Sequence, residues 1–290
     1  MQYPLERVVT VRLGPHVEQL SPLEGRSYPA GGPLVVTGSH TRLVLDSSPR
    51  VPLPGHDGYL LSHHHEDHVA GVAASGQPAA IHPDDLLAVT SWTSFAAACG
   101  YEDPRWPAEM IDNFGWRPIE LIRPLAPQVS IDLGGVSVRP VHLPGHTPGH
   151  CGLVVEPDGV VYLGDIDLTG FGPYYGDQHA DLASTRRSLD EVGLMPAAVR
   201  TTFHQKGPFF SGSEFAWALQ AHRDALDRRH EIVARELARY PDVTAQELVG
   251  RGIVYRQDTW PIWGPEAEVR MIQRHLDELR STRTQDAVVT

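Results

Sequence analysis

Along the first two thirds of the chain, apolar residues come in short runs rich in β-branched side chains. Residues 8–13, 33–36 and 41–45 are of this kind, divided by Gly-Gly and Gly-Ser breaks, and predict strands of an antiparallel meander. Residues 58–62 predict another short strand, and the small apolar stretch 69–74 a short buried helix. A strand over 79–82 follows, after which Pro83-Asp84-Asp85 provides the start of a helix over 86–98. A second strand group covers 136–141, 152–155 and 160–163, with Pro157-Asp158-Gly159 as the hairpin turn between the last two. Residues 182–192 have helical spacing and 198–202 read as one more strand. From Ser213 the pattern changes to long helical stretches over 214–240, 244–249 and 266–279. Two strand groups, each followed by helices, predict two sheets packed face to face with helices outside, an α/β layered architecture. The change at Ser213 divides the chain into a layered domain over 1–212 and a helical extension over 213–290 packed on it.

Composition narrows the function classes. Of 290 residues, 41% are hydrophobic and 21% charged, which places the chain among folded globular proteins. The formal charge is 24 − 36 = −12, which is unfavourable for a phosphate backbone, so nucleic acid is not an expected partner. Cys99 and Cys151 are the only cysteines. They suggest neither a disulfide framework nor a thiolate metal cluster, and fit a reducing cytoplasm. Residues 1–13 contain Glu6, Arg7 and Arg12 and lack the apolar core of a signal peptide. No run is long enough to span a bilayer, so no membrane association is expected. The 16 histidines are the informative feature, because they cluster.

The decisive segment is Ser62-His63-His64-His65-Glu66-Asp67-His68, a His-x-His-x-Asp-His pattern at a predicted strand end. Residues two apart in extended chain point to one side, so His63 and His65 can share a target while the turning chain offers Asp67 and His68 to a neighbouring point. That geometry suits two adjacent metal ions, and imidazole with carboxylate suits zinc, iron or manganese. His64 and Glu66, between the donors, are expected to point the other way, to solvent or a surface hydrogen bond. Downstream, Pro144-Gly145-His146-Thr147-Pro148-Gly149-His150, Tyr162-Leu163-Gly164-Asp165 and Thr202-Phe203-His204 each put a ligand-type residue at a strand terminus, where loops on a rigid scaffold carry chemistry. His142 reads as a core or edge histidine. His16, His40, His56, His82, His179, His222, His230 and His275 lack a partner at ligand spacing, and Cys151 reads as a small packed hydrophobe.

In the order and spacing of these motifs, residues 34–204 resemble the metallo-β-lactamase-fold superfamily, closest to its glyoxalase II-like hydrolases. The resemblance implies an αββα four-layer sandwich with a C-terminal helical extension. It implies a first metal site of His63, His65 and His146, a second of Asp67, His68 and His204, and Asp165 as the carboxylate bridging both. Asp167, two positions on, competes for that role. Asp46 matches the family motif whose carboxylate orients a ligand imidazole, and His150 is implied as a further support.

The implied activity is that of a dinuclear metal-dependent hydrolase with two divalent ions, zinc first and iron or manganese as alternatives. Water activated by the metals would attack an activated carbonyl of a small molecule, a thioester or lactone, with Asp67 or Asp165 handling the proton. Tyr174, Tyr175 and Lys206 are candidate substrate contacts, and Phe209, Phe210, Trp260 and Trp263 candidate pocket walls. The glutathione-binding residues of glyoxalase II find no counterpart. Two further activities of the fold remain as alternatives: an oxidoreductase resembling the mononuclear iron persulfide dioxygenases, which a full second donor set disfavours, and a phosphodiesterase or nuclease, which the charge disfavours. The helical extension is expected either to cap the site or to pair protomers in a homo-oligomer.

Overall fold

The computed structural model describes residues 7–49, 51–126, 128–204, 206–256 and 260–289, with side chains of the last helix described as far as Thr282. Residues 1–6, part of the segment read above for a signal peptide, lie outside the described residues. Two sheets face each other. The first runs in chain order through β1 (Val8–Arg12), β2 (Val17–Pro22), β3 (Leu34–Thr37), β4 (Arg42–Leu45), β5 (Gly58–Leu60), β6 (Ala79–Ile81) and β7 (Ile122–Pro124). Its first four strands pair antiparallel, as the meander predicts, and its last four parallel. The second comprises β8 (Ile131–Asp132), β9 (Ser137–His142), β10 (Cys151–Glu156), β11 (Val160–Tyr162) and β12 (Val199–Thr201), ordered β12-β11-β10-β9-β8.

Side-chain alternation distributes each strand between two cores. Leu34, Val36, Leu43 and Leu45 meet Val138, Leu153, Val155 and Tyr162 between the sheets. Their neighbours Val35 and Val44 face helices outside the first sheet, and Val154 and Val161 face helices outside the second. Because both faces are buried, the strands read as continuous apolar runs.

Outside the first sheet lie α1 (Glu66–Val69), α2 (Val72–Ser75), α3 (Pro83–Leu86), α4 (Trp92–Cys99) and α5 (Trp106–Ala108). The predicted helices over 69–74 and 86–98 are each broken. Gly71, at φ 78°, separates α1 from α2. The Thr90 hydroxyl donates to the Leu87 carbonyl, and Ser91 caps α4 afresh by accepting from the Ser94 amide. Such local side-chain bonds compete with a continuous helix. Outside the second sheet lies α6 (Leu182–Leu194), followed by α7 (Gly212–Arg239), α8 (Ala245–Leu248) and α9 (Gly264–Val289). Phe215, Ala218 and Leu219 of α7 join the core under the second sheet, while Val233, Leu237, Ile272 and Leu276 pack α7 against α9. No helix among the described residues is long and apolar enough to cross a membrane.

Phe95 of α4 is fully buried and stacks on Trp116 at 4.7 Å and Trp106 at 5.5 Å, at the centre of the helical layer over the first sheet. Phe95→Ala is expected to cost about 3–5 kcal/mol of stability. Urea unfolding should register it as a lowered midpoint at unchanged slope.

Candidate metal centre

The site forms where β4, β5, β9, β11 and β12 end on one edge of the sandwich. Directly after β4, Asp46 holds a left-handed backbone, φ 59°, uncommon for a residue with a Cβ. Fully buried, its carboxylate collects four hydrogen bonds. Oδ1 accepts from the Ser62 amide at 2.7 Å, and Oδ2 accepts from Ser62 Oγ at 2.6 Å, His68 Nδ1 at 2.8 Å and the Tyr162 hydroxyl at 2.6 Å. Backbone strain of this kind costs on the order of 1–3 kcal/mol and persists only where the surroundings over-determine it.

Each of five histidines ties one ring nitrogen outward, which fixes its tautomer and leaves the other facing inward. Ser62 Oγ donates to Asp46 and so accepts from His63 Nδ1 at 2.9 Å. His65 Nε2 donates to Asp177 Oδ2 at 2.6 Å, and His68 Nδ1 to Asp46. His146 and His204 donate through Nδ1 to the carbonyls of Tyr174 and Ala30, both at 3.0 Å. The inward nitrogens converge: His146 Nε2 lies 3.1 Å from His63 Nε2 and 3.0 Å from His65 Nδ1. His204 Nε2 lies 3.0 Å from Asp67 Oδ2.

Asp165 stands between these groups. Oδ2 lies 3.3 Å from His146 Nε2 and 3.8 Å from His63 Nε2, while Oδ1 lies 2.9 Å from His68 Nε2 and 3.6 Å from His204 Nε2. Two donor groups could thus each hold a cation: His63, His65, His146 and Asp165, and Asp67, His68 and His204. Asp67 Oδ2, His68 Nε2 and Asp165 Oδ1 are buried and, although His204 Nε2 and His68 Nε2 stand 3.0 and 2.9 Å from the two carboxylate oxygens, none makes a well-directed hydrogen bond, a condition costly enough in a folded interior to ask for a ligand. Electrostatics points the same way. Against the effect of burial, Asp165 and Asp67 raise His204 to about 9, and Asp165, Asp67 and Asp46 raise His68 well above the usual imidazole range. Asp165 is held well below the usual carboxylate range by His68 and His204, although burial opposes this. The carboxylates call for positive charge, and imidazole with carboxylate oxygen is a donor set that zinc, iron and manganese accept.

Two residues fix Asp165. His150, buried and lowered to about 3 by burial and by His146, donates from Nδ1 to the Leu143 carbonyl at 3.0 Å. Its Nε2 accepts from the Asp165 amide at 3.2 Å. Gly164 precedes at φ 53°, and a Cβ there would stand 2.8 Å from His150 Nε2 and 3.0 Å from Ser62 Oγ. Asp167 instead accepts from Thr169 and lies on the cavity wall, pushed up to about 6 by burial and by Asp165.

A cavity of about 610 Å³ opens over the donors, with Asp67, Asp165, Tyr174, Trp260 and Trp263 among its walls. Tyr175 is not on that wall; it is fully buried and its hydroxyl meets His275 Nε2 at 2.8 Å. Lys206 is exposed and lines a separate depression with Trp217 and Phe209, and Phe209 packs against Phe215. The expectation that His64 and Glu66 face solvent is corrected, since both are buried. His64 Nδ1 lies 3.0 Å from Asp85 Oδ2 and its Nε2 4.0 Å from Asp177 Oδ2, at ligand spacing with His65 and Asp177; Glu66 accepts from the Tyr28 hydroxyl at 2.7 Å. Asp85, lowered to about 2 by His64 and its other donors against burial, also accepts from Thr147 Oγ1 and the Gly149 amide, pinning the His146 loop. His142 stacks on His82 at 4.1 Å. Sequence reasoning missed Asp177 and Asp85, for which the only signal was proximity to the aromatic loop and to a helix start.

No curated protein matches this chain by sequence. Among solved structures it is similar to a metallo-beta-lactamase family protein from Thermus thermophilus, with a TM-score of 0.67 at 21% identity over 93% of this chain and 95% of that one. A beta-lactamase domain protein from Burkholderia ambifaria gives a TM-score of 0.64 at 20% identity, over 94% and 88%. An archaeal metallo-beta-lactamase superfamily protein from Sulfolobus tokodaii gives 0.51 at 16% identity, over 96% and 100%. These likenesses establish the fold. The family model of the metallo-beta-lactamase superfamily matches residues 37–204, the span that carries the donors and more than half of the chain, and the chain belongs to that superfamily.

Proposed function

We propose that this protein is a dinuclear metal-dependent hydrolase acting on an activated carbonyl of a small molecule, a thioester or lactone. The observation that carries the reading is the division of Asp165 between two donor groups, one oxygen toward each. In this reading His63, His65 and His146 would hold one ion and Asp67, His68 and His204 the other, with Asp165 a carboxylate available to both. When bound, two divalent ions, zinc in the first place, supply Lewis acidity and lower the pKa of a water from 15.7 toward about 7.

The remaining work falls to the chain. Asp67 and Asp165, both on the cavity wall, are the carboxylates available to take the attacking water's proton. Asp46 and Asp177 hold His68 and His65 in the tautomer that ligation requires. Tyr174 lies beside His65 and His146, its hydroxyl joined to that of Tyr101 and to Asp177, and its ring positions the substrate carbonyl against the donors. The segment 213–290 serves as an extension of the same domain, a role supported by Trp260 and Trp263 on the cavity wall. A mononuclear iron oxygenase would leave the second donor group without a task.

Elemental analysis of protein purified without added metal should find about two zinc or manganese ions per chain, and their removal by a chelator should abolish turnover. One iron per chain, with oxygen uptake on a persulfide, would overturn the hydrolase reading. Asp165→Asn is expected to lower turnover at least about a hundredfold with unchanged circular dichroism; a folded, metal-loaded variant at full rate would remove Asp165 from the mechanism. Asp177→Asn should weaken metal binding at the first site by about 10–100-fold, as read by chelator competition.

A further inference from the structure

Beyond the donors, the cavity has a one-sided chemistry. Its outer wall is built of rings, Tyr28, Tyr101, Trp106, Tyr255, Trp260 and Trp263. Trp263 meets Tyr28 edge-on at 5.6 Å and Tyr101 at 6.3 Å, and Tyr101 meets Trp106 at 5.6 Å, so these four form one continuous surface, while Tyr255 meets Phe171 at 5.3 Å. Among the described residues the cavity lining contains no lysine or arginine, and its acidic groups besides the donors Asp67 and Asp165 are Glu66, Asp167 and Asp177.

Three arginines behind the wall, Arg229, Arg270 and Arg26, are engaged elsewhere. Arg229 lies over the Phe171 ring at 4.6 Å and donates to the carbonyls of Pro173 and Phe171. Arg270 lies over Tyr101 at 5.0 Å and donates to the carbonyls of Cys99, Gly100 and Gly176. Arg26 spends its guanidinium on the carbonyls of Thr202, Lys206 and Gly207. All three guanidiniums are bound to backbone carbonyls, and none lines the cavity.

From this we infer that the group filling the outer cavity is uncharged and apolar, with an aromatic or bulky branched end. The inference rests on the hydrolase reading and names its substrate class. Entering this outer wall, away from the donors, strips water from the substrate, and a carboxylate or phosphate there would lose its hydration with no lysine or arginine among the described lining residues to replace it. Rings of this kind instead reward flat or branched hydrocarbon by burying it and by edge-to-face contact. Glutathione thioesters, with two carboxylates and an ammonium, and nucleotides, with their phosphates, are excluded from the class.

The test uses three thioesters of one thiol whose acyl chains end in tert-butyl, carboxylate or trimethylammonium, with kcat/KM measured on metal-loaded protein. The tert-butyl substrate is expected to exceed the carboxylate one by at least about a hundredfold, and to exceed the trimethylammonium one. A carboxylate or trimethylammonium substrate that matches or exceeds the neutral one overturns the inference. The corresponding methyl ketones, which cannot be hydrolysed, are titrated in parallel against tryptophan fluorescence. If no thioester turns over but the ketones keep the neutral preference, the thioester part of the hydrolase reading fails and the cavity assignment stands. If the charged ketones bind as tightly as the neutral one, the assignment fails whatever the turnover. Trp260→Arg and, as a second folded variant, Trp263→Lys should each shift the carboxylate-to-neutral ratio at least about tenfold toward the carboxylate substrate; an unmoved ratio in both overturns the inference.

Discussion

The carboxylate of Asp46 is the constraint on which the site depends. From the end of the first sheet it binds Ser62 and His68 of the histidine loop and Tyr162 of the second sheet, so one buried side chain fixes the distance between the layers and the aim of a donor imidazole. Burying a carboxylate is unfavourable unless its oxygens are satisfied, and here four donors satisfy them. The left-handed backbone of Asp46 is the local cost of presenting both oxygens to partners on different elements.

From that anchor the same device repeats around the centre. Every donor imidazole is held at its outer nitrogen by a fixed acceptor, and so the inner nitrogens must face one another. Such an arrangement does not satisfy itself. Ring nitrogens about 3 Å apart in a buried space, beside carboxylates that raise His204 and His68, make an interior that positive charge completes. The fold thus keeps in place a polar cluster that packing alone would not favour, through Asp46, Asp177, His150 and two backbone carbonyls.

The C-terminal helices finish the cavity from the other side. Arg270 and Arg274 of α9 donate to backbone carbonyls at Cys99, Gly100 and residues 176–180. They thereby lock the aromatic loop after Asp165 to the last helix. Trp260 and Trp263 close the wall ahead of that helix. The superfamily match covers residues 37–204, so Tyr101 and Trp106 of the outer wall lie inside it and Tyr255, Trp260 and Trp263 beyond it.

Periodicity made most strands legible, since residues buried on both faces leave continuous apolar runs. It missed β2, where Gln19 is fully buried and polar because it bonds Gly32, Thr201 and Thr202, and the short edge strands β7 and β8, whose Ile-Arg-Pro and Ile-Asp carry no alternation. By itself the sequence determined the donor types and their spacing, because His63, His65, Asp67 and His68 lie within one turn of chain and the other donors follow recognisable strand ends. Only the tertiary structure decided that Asp177 orients His65, that His64 and Glu66 are buried, that Tyr175 turns to His275, and that rings without cations form the wall. Those facts depend on contacts between residues far apart in the chain, such as His65 with Asp177 or Tyr28 with Trp263, and on backbone carbonyls that every residue possesses and no sequence pattern marks.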